Sequence, residues 1–312
     1  MKSKVESKKT ILKNISPFNN ITDMPAVLFC VKKILAFWFC YIAGLIIAEG
    51  AVILIHFASG KNMLVGDVFG SQTITLIMYY GYIVIIGVVL LYWKLIEKKS
   101  LSEIGLKRQI SSYFVGMAIA LILLLASVCI IILTGNMEYH GLFKNINILI
   151  VLLFFGGFIV QGAMEELLCR GFLLHSLKEK VSLPIAVAIS TVMFIIPHWS
   201  SLFAGQIIYG IVGIGNLVLI SIIFSILTIR LKNIWAACGI HSFWNFILYS
   251  VLGLNLSGSD ENAAAIFNMK SVGKNVINGG LYGIEASVIT TVILGVFVIL
   301  CVYRKNEKQQ KK

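Results

Sequence analysis

Eight apolar stretches alternate with polar ones along the chain, at roughly 34–57, 73–93, 113–134, 146–168, 183–203, 207–229, 233–252 and 282–303. Each runs to about twenty residues, and at 1.5 Å per residue that spans a hydrocarbon core about 30 Å thick. The pattern predicts an all-α, polytopic integral membrane bundle of about eight transmembrane helices. One transmembrane domain, 34–303, then lies between an N-terminal tail (1–33) and a C-terminal tail (304–312). No internal repeat, low-complexity tract or separable soluble domain interrupts it. The first thirty residues are polar, so the first span is expected to act as an uncleaved anchor and not as a signal peptide.

Composition strengthens this reading. Of the 312 residues 58% are hydrophobic and 13% charged, against about 25% charged in soluble domains. Placing both termini in the cytoplasm puts all 26 lysines and arginines on that side except Lys61, Lys144, Lys270 and Lys274, as the positive-inside rule requires. The net charge of +12 is therefore topological. The partner it suits is the lipid bilayer, with no nucleic acid implied. Under this topology 58–72 and 253–281 are the long outer connections. The second, around Ser257-Gly-Ser-Asp-Glu261, is expected to be the most mobile. The inner connection 97–108 looks amphipathic and should lie at the interface. The six cysteines form no C-x-x-C pair and sit in or beside apolar spans, where they serve as packing residues. The glycine-rich Tyr209–Asn216 follows no strand, so it fails as a nucleotide-binding turn. Gly205, Gly210, Gly213 and Gly215 are expected instead to permit close helix contact.

Three spans carry polar groups where charge is costly, roughly 2.5–3.5 kcal/mol for an Arg or Asp at the centre of a membrane helix. The fourth holds Glu165, Glu166 and Arg170. Glu166 and Arg170 are four residues apart and share a face, so they can pair, while Glu165 points about 100° away. The fifth holds Phe194 and His198, with Pro197 expected to kink the helix just before the histidine. The seventh holds His241 and Asn245, again one turn apart. Taken singly, each has a structural reading: an ion-pair staple, a satisfied core histidine, a polar pair joining helices. Helical rise places Glu165 about 20 Å, His198 about 21 Å and His241 about 12 Å from the cytoplasmic ends of their helices. The groups can then meet in the cytoplasmic half of the membrane. A carboxylate that takes a proton from water, an imidazole beside it, and His and Asn donors for an oxyanion suit hydrolysis. The set Glu165, His198 and His241 suits zinc with an open position equally well by spacing.

The motifs of other intramembrane proteases are missing: no His-Glu-x-x-His, no Gly-x-Gly-Asp, no Gly-x-Ser-x-Gly. What is present resembles the CAAX protease and bacteriocin-processing family, the type II prenyl-endopeptidase-like membrane peptidases. Glu165-Glu-Leu-Leu-Cys-Arg170, Phe194-Ile-Ile-Pro-His198 and His241-Ser-Phe-Trp-Asn245 match its three motifs in order. The likeness covers about 145–252, and Ser102-Glu-Ile-Gly-Leu106 is similar to a segment that precedes this core in bacterial members. The resemblance implies an endopeptidase in which Glu165 activates water with help from His198, and His241 and Asn245 form the oxyanion site. Glu166, Arg170 and Phe194 would support and orient them. The family has been described both with and without a metal, and the Asn-containing, Arg-adjacent site favours no metal cofactor. The implied partner is a peptide or lipidated protein substrate. Cys-a-a-X tails are the substrate of eukaryotic relatives. The Lys-, Ile- and Asn-rich composition points to a bacterial plasma membrane, where a peptide precursor or membrane regulator fits better. The alternative is a non-catalytic immunity or scaffold protein that binds a peptide. A transporter, for which Glu49 would speak, is disfavoured by the absence of repeats. Oligomeric state is not legible.

Overall fold

The computed structural model describes residues 11–62, 65–258 and 265–310, with side chains as far as 303. Its helices follow the apolar stretches: α1 Ala26–Ala58, α2 Ser71–Leu95 and α3 Ser111–Leu133. Helix α4, Ile148–Glu166, runs on through a π-helical segment Leu167–Leu174 to Leu177. Helix α5, Leu183–Ile195, tightens into a 3₁₀ turn at Ile196–His198. Then come α6 Ile207–Leu231, α7 Trp235–Phe246 and α8 Val288–Gln310. Among the described residues six helices are long and apolar enough to cross a membrane, ending with Ile207–Leu231. The chain is a polytopic helical membrane protein. The seventh and eighth expected spans are helical but shorter, α7 with its π-helical end Ile247–Val251 and the apolar part of α8, Val288–Tyr303.

The expectation of an all-α chain needs one correction. Met137–Leu142 (β1) and Phe267–Ser271 (β2) pair antiparallel, with Glu138 opposite Lys270 and Tyr139 opposite Met269. The partners lie far apart in sequence, and each strand is too short to declare itself by alternation. The connection 253–281 is also more ordered than expected. Buried Asn278 donates to the carbonyls of Val272 (3.0 Å) and Gly273 (3.2 Å) and accepts from the amide of Gly280 (3.0 Å). The stretch 259–264, part of the segment expected to be mobile, lies outside the described residues.

The described residues form two compact units, Met1–Arg108 with Ala163–Ser190, and Gln109–Gly162 with Thr191–Lys312. In the first, α1 begins at Ala26, ahead of its apolar span, so Lys32 and Lys33 lie on the helix and are buried. Lys33 pairs with Glu97 at 2.6 Å, and Lys32 donates to Asn19 Oδ1 and the Ile21 carbonyl, each at 2.7 Å. The connection after α2 is a folded turn. Trp93 Nε1 donates to the Ser100 carbonyl at 2.8 Å, and the Ser100 amide donates to Glu103 at 2.8 Å. Ile104 is fully buried and backs onto Gly171. This gives the Ser102–Leu106 likeness a packing reason.

In the second unit α3 and α7 pack through reciprocal glycines. A Cβ on Gly116 would overlap the Ala236 carbonyl oxygen, and one on Gly239 the Tyr113 carbonyl oxygen. Tyr113 Oη and Ser242 Oγ, 2.6 Å apart, lock the same seam. Of the glycines expected to permit contact, Gly210 and Gly213 lie tightly against Leu202, Gly205 is in ordinary contact with Leu281, and Gly215 faces open space. Gly239→Ala should therefore destabilise the protein by about 1–3 kcal/mol through overpacking, although alanine is the better helix former by about 1 kcal/mol. Gly215→Ala should leave stability unchanged or raised. Thermal unfolding of both variants in detergent tests this, and a tolerated Gly239→Ala would refute the close seam.

Candidate active site

In the first unit the acidic motif sits where α4 changes its winding. Glu166 is the last α-helical residue, and the π-helical segment begins at Leu167. Such segments are often found at functional sites. Arg170 Nη1 donates to Glu166 Oε1 at 2.9 Å, and both side chains are 0% exposed. The widened turn exposes backbone carbonyls to new partners. The Arg170 carbonyl accepts from His175 Nδ1 at 2.6 Å, and the Cys169 carbonyl from Ser190 Oγ at 2.8 Å. Phe172 meets Tyr92 and Trp93 edge-on. Glu165, the neighbour of the buried pair, is only half-buried. Tyr41 of α1 and Tyr82 of α2 lie within its electrostatic reach. Neither tyrosine was singled out in the sequence, because one tyrosine among apolar residues gives no signal.

In the second unit the imidazole motifs meet around one phenylalanine. Pro197 has no amide hydrogen to continue the α-helix, and the chain turns as 3₁₀ over Ile196–His198, the expected break. His198 Nδ1 lies 2.9 Å from the Phe194 carbonyl. A carbonyl only accepts, so Nδ1 carries the proton, and the neutral ring has its lone pair on Nε2. The Phe194 ring lies 5.3 Å from the His198 ring and 6.0 Å from the His241 ring. His241 stacks on Phe224 at 5.5 Å with 13° between planes. Gly162 of α4 lets the His241 turn come close, since a Cβ there would sit 3.0 Å from the Ser242 amide nitrogen. One turn on, buried Asn245 donates to Gln161 Oε1 at 3.1 Å.

Thus Phe194, His198 and His241 are brought together in one unit, with Asn245 one turn beyond His241. Glu165, Glu166 and Arg170 belong to the other. Gln161 and Phe224 of the second unit went unnoticed in the sequence. Gln161 did carry a signal, a polar side chain one turn before Glu165. Among the described residues no three His, Cys, Asp or Glu side chains are grouped to hold a metal ion.

The buried pair makes a sharp prediction. Arg170→Met should leave Glu166 buried without its counter-charge and destabilise the protein by about 3–5 kcal/mol. Glu166→Leu combined with Arg170→Met should recover most of that loss. Folded yield and thermal unfolding read both, and a double variant no better than the single would refute a pair held by mutual charge.

Residues 147–247, the stretch with all three motifs, match the family model described as type II CAAX prenyl endopeptidase Rce1-like. No curated protein and no solved structure matches the chain. Over this helical core, about a third of the chain, the protein is similar to the Rce1-like type II CAAX prenyl endopeptidases.

Proposed function

We propose that the protein is an intramembrane endopeptidase that hydrolyses a peptide bond of a membrane-associated or lipidated peptide. The observation that carries this reading is the arrangement around Phe194. Its carbonyl sets the His198 tautomer and leaves Nε2 as the proton-accepting nitrogen, while its ring touches both imidazoles. In this reading Glu165 takes a proton from the attacking water. His198 Nε2 orients that water and shares its proton. His241 and the Asn245 amide donate to the oxygen that becomes negative as the tetrahedral intermediate forms. The proton then passes to the leaving amine. Gln161 precedes Glu165 by one turn of the same helix, and by binding Asn245 it keeps that amide oriented. Glu166 neutralises Arg170 and leaves Glu165 as the motif's working carboxylate. Both termini lie in the cytoplasm in this reading, and the site opens toward the cytoplasmic half of a bacterial plasma membrane.

Mapping new peptide termini in cells making matched amounts of wild-type protein or variants tests the assignment without a chosen substrate. Glu165→Gln should abolish a defined set of termini while the protein stays inserted. Asn245→Ala should reduce them about 100- to 1,000-fold in rate, the usual effect of losing one oxyanion donor. An unchanged map, with a biological phenotype that survives Glu165→Gln, would favour the non-catalytic immunity or scaffold role. The reading uses no metal. Purified protein should keep its turnover after chelation, and a loss restored by zinc would overturn that part of it.

A further inference from the structure

The β1–β2 ribbon lies outside the three motifs, and its two faces differ in chemistry. In an antiparallel pair, opposite residues share a face, and so do alternate residues along one strand. Leu142 stands opposite Phe267, Tyr139 opposite Met269 and Met137 opposite Ser271. One face therefore carries Met137, Tyr139, Leu142, Phe267 and Met269, with Ser271 at its end. The other carries Glu138, His140, Asn268 and Lys270, and there His140 Nε2 lies 3.3 Å from Glu138 Oε2. Plain alternation would have put Leu142 on the polar face. The register shifts between Tyr139 and Leu142, where Gly141 takes φ 90°, a conformation glycine adopts at little cost. This bulge returns Leu142 to the apolar side.

The protein covers only part of that apolar face. Met137 and Met269 are buried, and β2 is tied to the end of α7. The Met269 amide donates to the Leu252 carbonyl at 3.1 Å, and the Ile266 amide to the Ser250 carbonyl at 3.2 Å. Beyond them Tyr139 is 57% exposed, Leu142 55% and Phe267 36%, and the Tyr139 and Phe267 rings are 6.1 Å apart. The neighbouring surface is the one that faces lipid. β1 packs against α3, and the helix ends that flank it expose Ile132 and Leu133 on α3 and Ile148 and Leu149 on α4. Both helices are long and apolar enough to cross a membrane. The exposed apolar face thus continues a surface that meets acyl chains. Two exposed cations, Lys270 on the polar face and Lys144 just after β1, suit the phosphates of lipid headgroups.

We propose that this ribbon is an interfacial anchor, its apolar face seated on the lipid surface where α3 leaves the membrane and α4 enters it. Tyr139, Leu142 and Phe267 dip toward the acyl chains, and the polar face stays among headgroups and water. The depth has a physical limit. Among the described residues β1 pairs with β2 alone, and an open strand edge is not tolerated within the hydrocarbon. The backbone therefore stays at headgroup level, and only side chains reach below it. Aromatic rings are at home at this depth, tyrosine above all, with an apolar body and a polar tip. Through its bonds to Ser250 and Leu252 the ribbon ties the end of α7, the helix of His241 and Asn245, to the membrane surface. Anchoring of this kind is independent of whether the protein cuts peptides.

The test is photocrosslinking of the full chain in lipid nanodiscs, with p-benzoylphenylalanine placed at one position at a time and the adducts read by mass. At Tyr139 or Phe267 it should form lipid adducts in a yield close to that at Leu149, the lipid-facing reference on α4. The yield should be at least about fivefold above that at His140 or Lys270, since one face meets acyl chains and the other water. Both replacements put an aromatic side chain where an exposed one stands. Should either variant fail to fold, the same probe at Leu142 reads the same face. Lipid yields at Tyr139 and Phe267 no higher than at His140 and Lys270 would overturn the proposal. Adducts to protein in place of lipid would overturn it as well and give the face to a polypeptide, a second copy of this chain if the adduct has the mass of two chains.

Discussion

A charge placed inside a membrane helix must find its counter-charge within the protein, because lipid offers none. Arg170 finds it one turn away. Its ion pair with Glu166 is wholly buried, and it stands where α4 passes from α to π winding. The surroundings of that segment follow from it. The Arg170 and Cys169 carbonyls are bonded by His175 and Ser190, Gly171 accepts the Ile104 backbone, and Phe172 fits between aromatic edges. Glu165, half-buried, stands on α4 just ahead of this segment.

The same rule recurs at smaller scale. Lys33 is buried against Glu97, Asn216 spends its amide on two carbonyls, and Asn278 bonds in several directions at once. In each case a polar group that would be expensive alone is made inexpensive by geometry. The groups read as chemical obey it too. His198 Nδ1 donates to the Phe194 carbonyl, which fixes the ring's tautomer.

Much of this was legible in the chain. The six long apolar helices coincide with the first six apolar stretches, because hydrophobic length is a local property that tertiary contacts do not change. The three motifs were readable because charged and polar side chains stand out against an apolar background. The Glu166–Arg170 pairing followed from the four-residue interval, and the break at Pro197 from its missing amide hydrogen. Cys129 shows the limit of the packing rule. It is exposed on α3 while four of the other cysteines are buried, and nothing in the sequence separates it from them.

What the sequence by itself determined is therefore the class of protein, the placement of its long helices and the residue types of the site. Each rests on periodicity or composition within a window of one helix. Tertiary structure alone decided the β1–β2 pairing, the stacking of His241 on Phe224, the hold of Gln161 on Asn245, and the bonds from Ser257 to Glu285. Their partners lie dozens of residues apart. No periodicity links them, and only the packed fold brings the atoms within reach of each other.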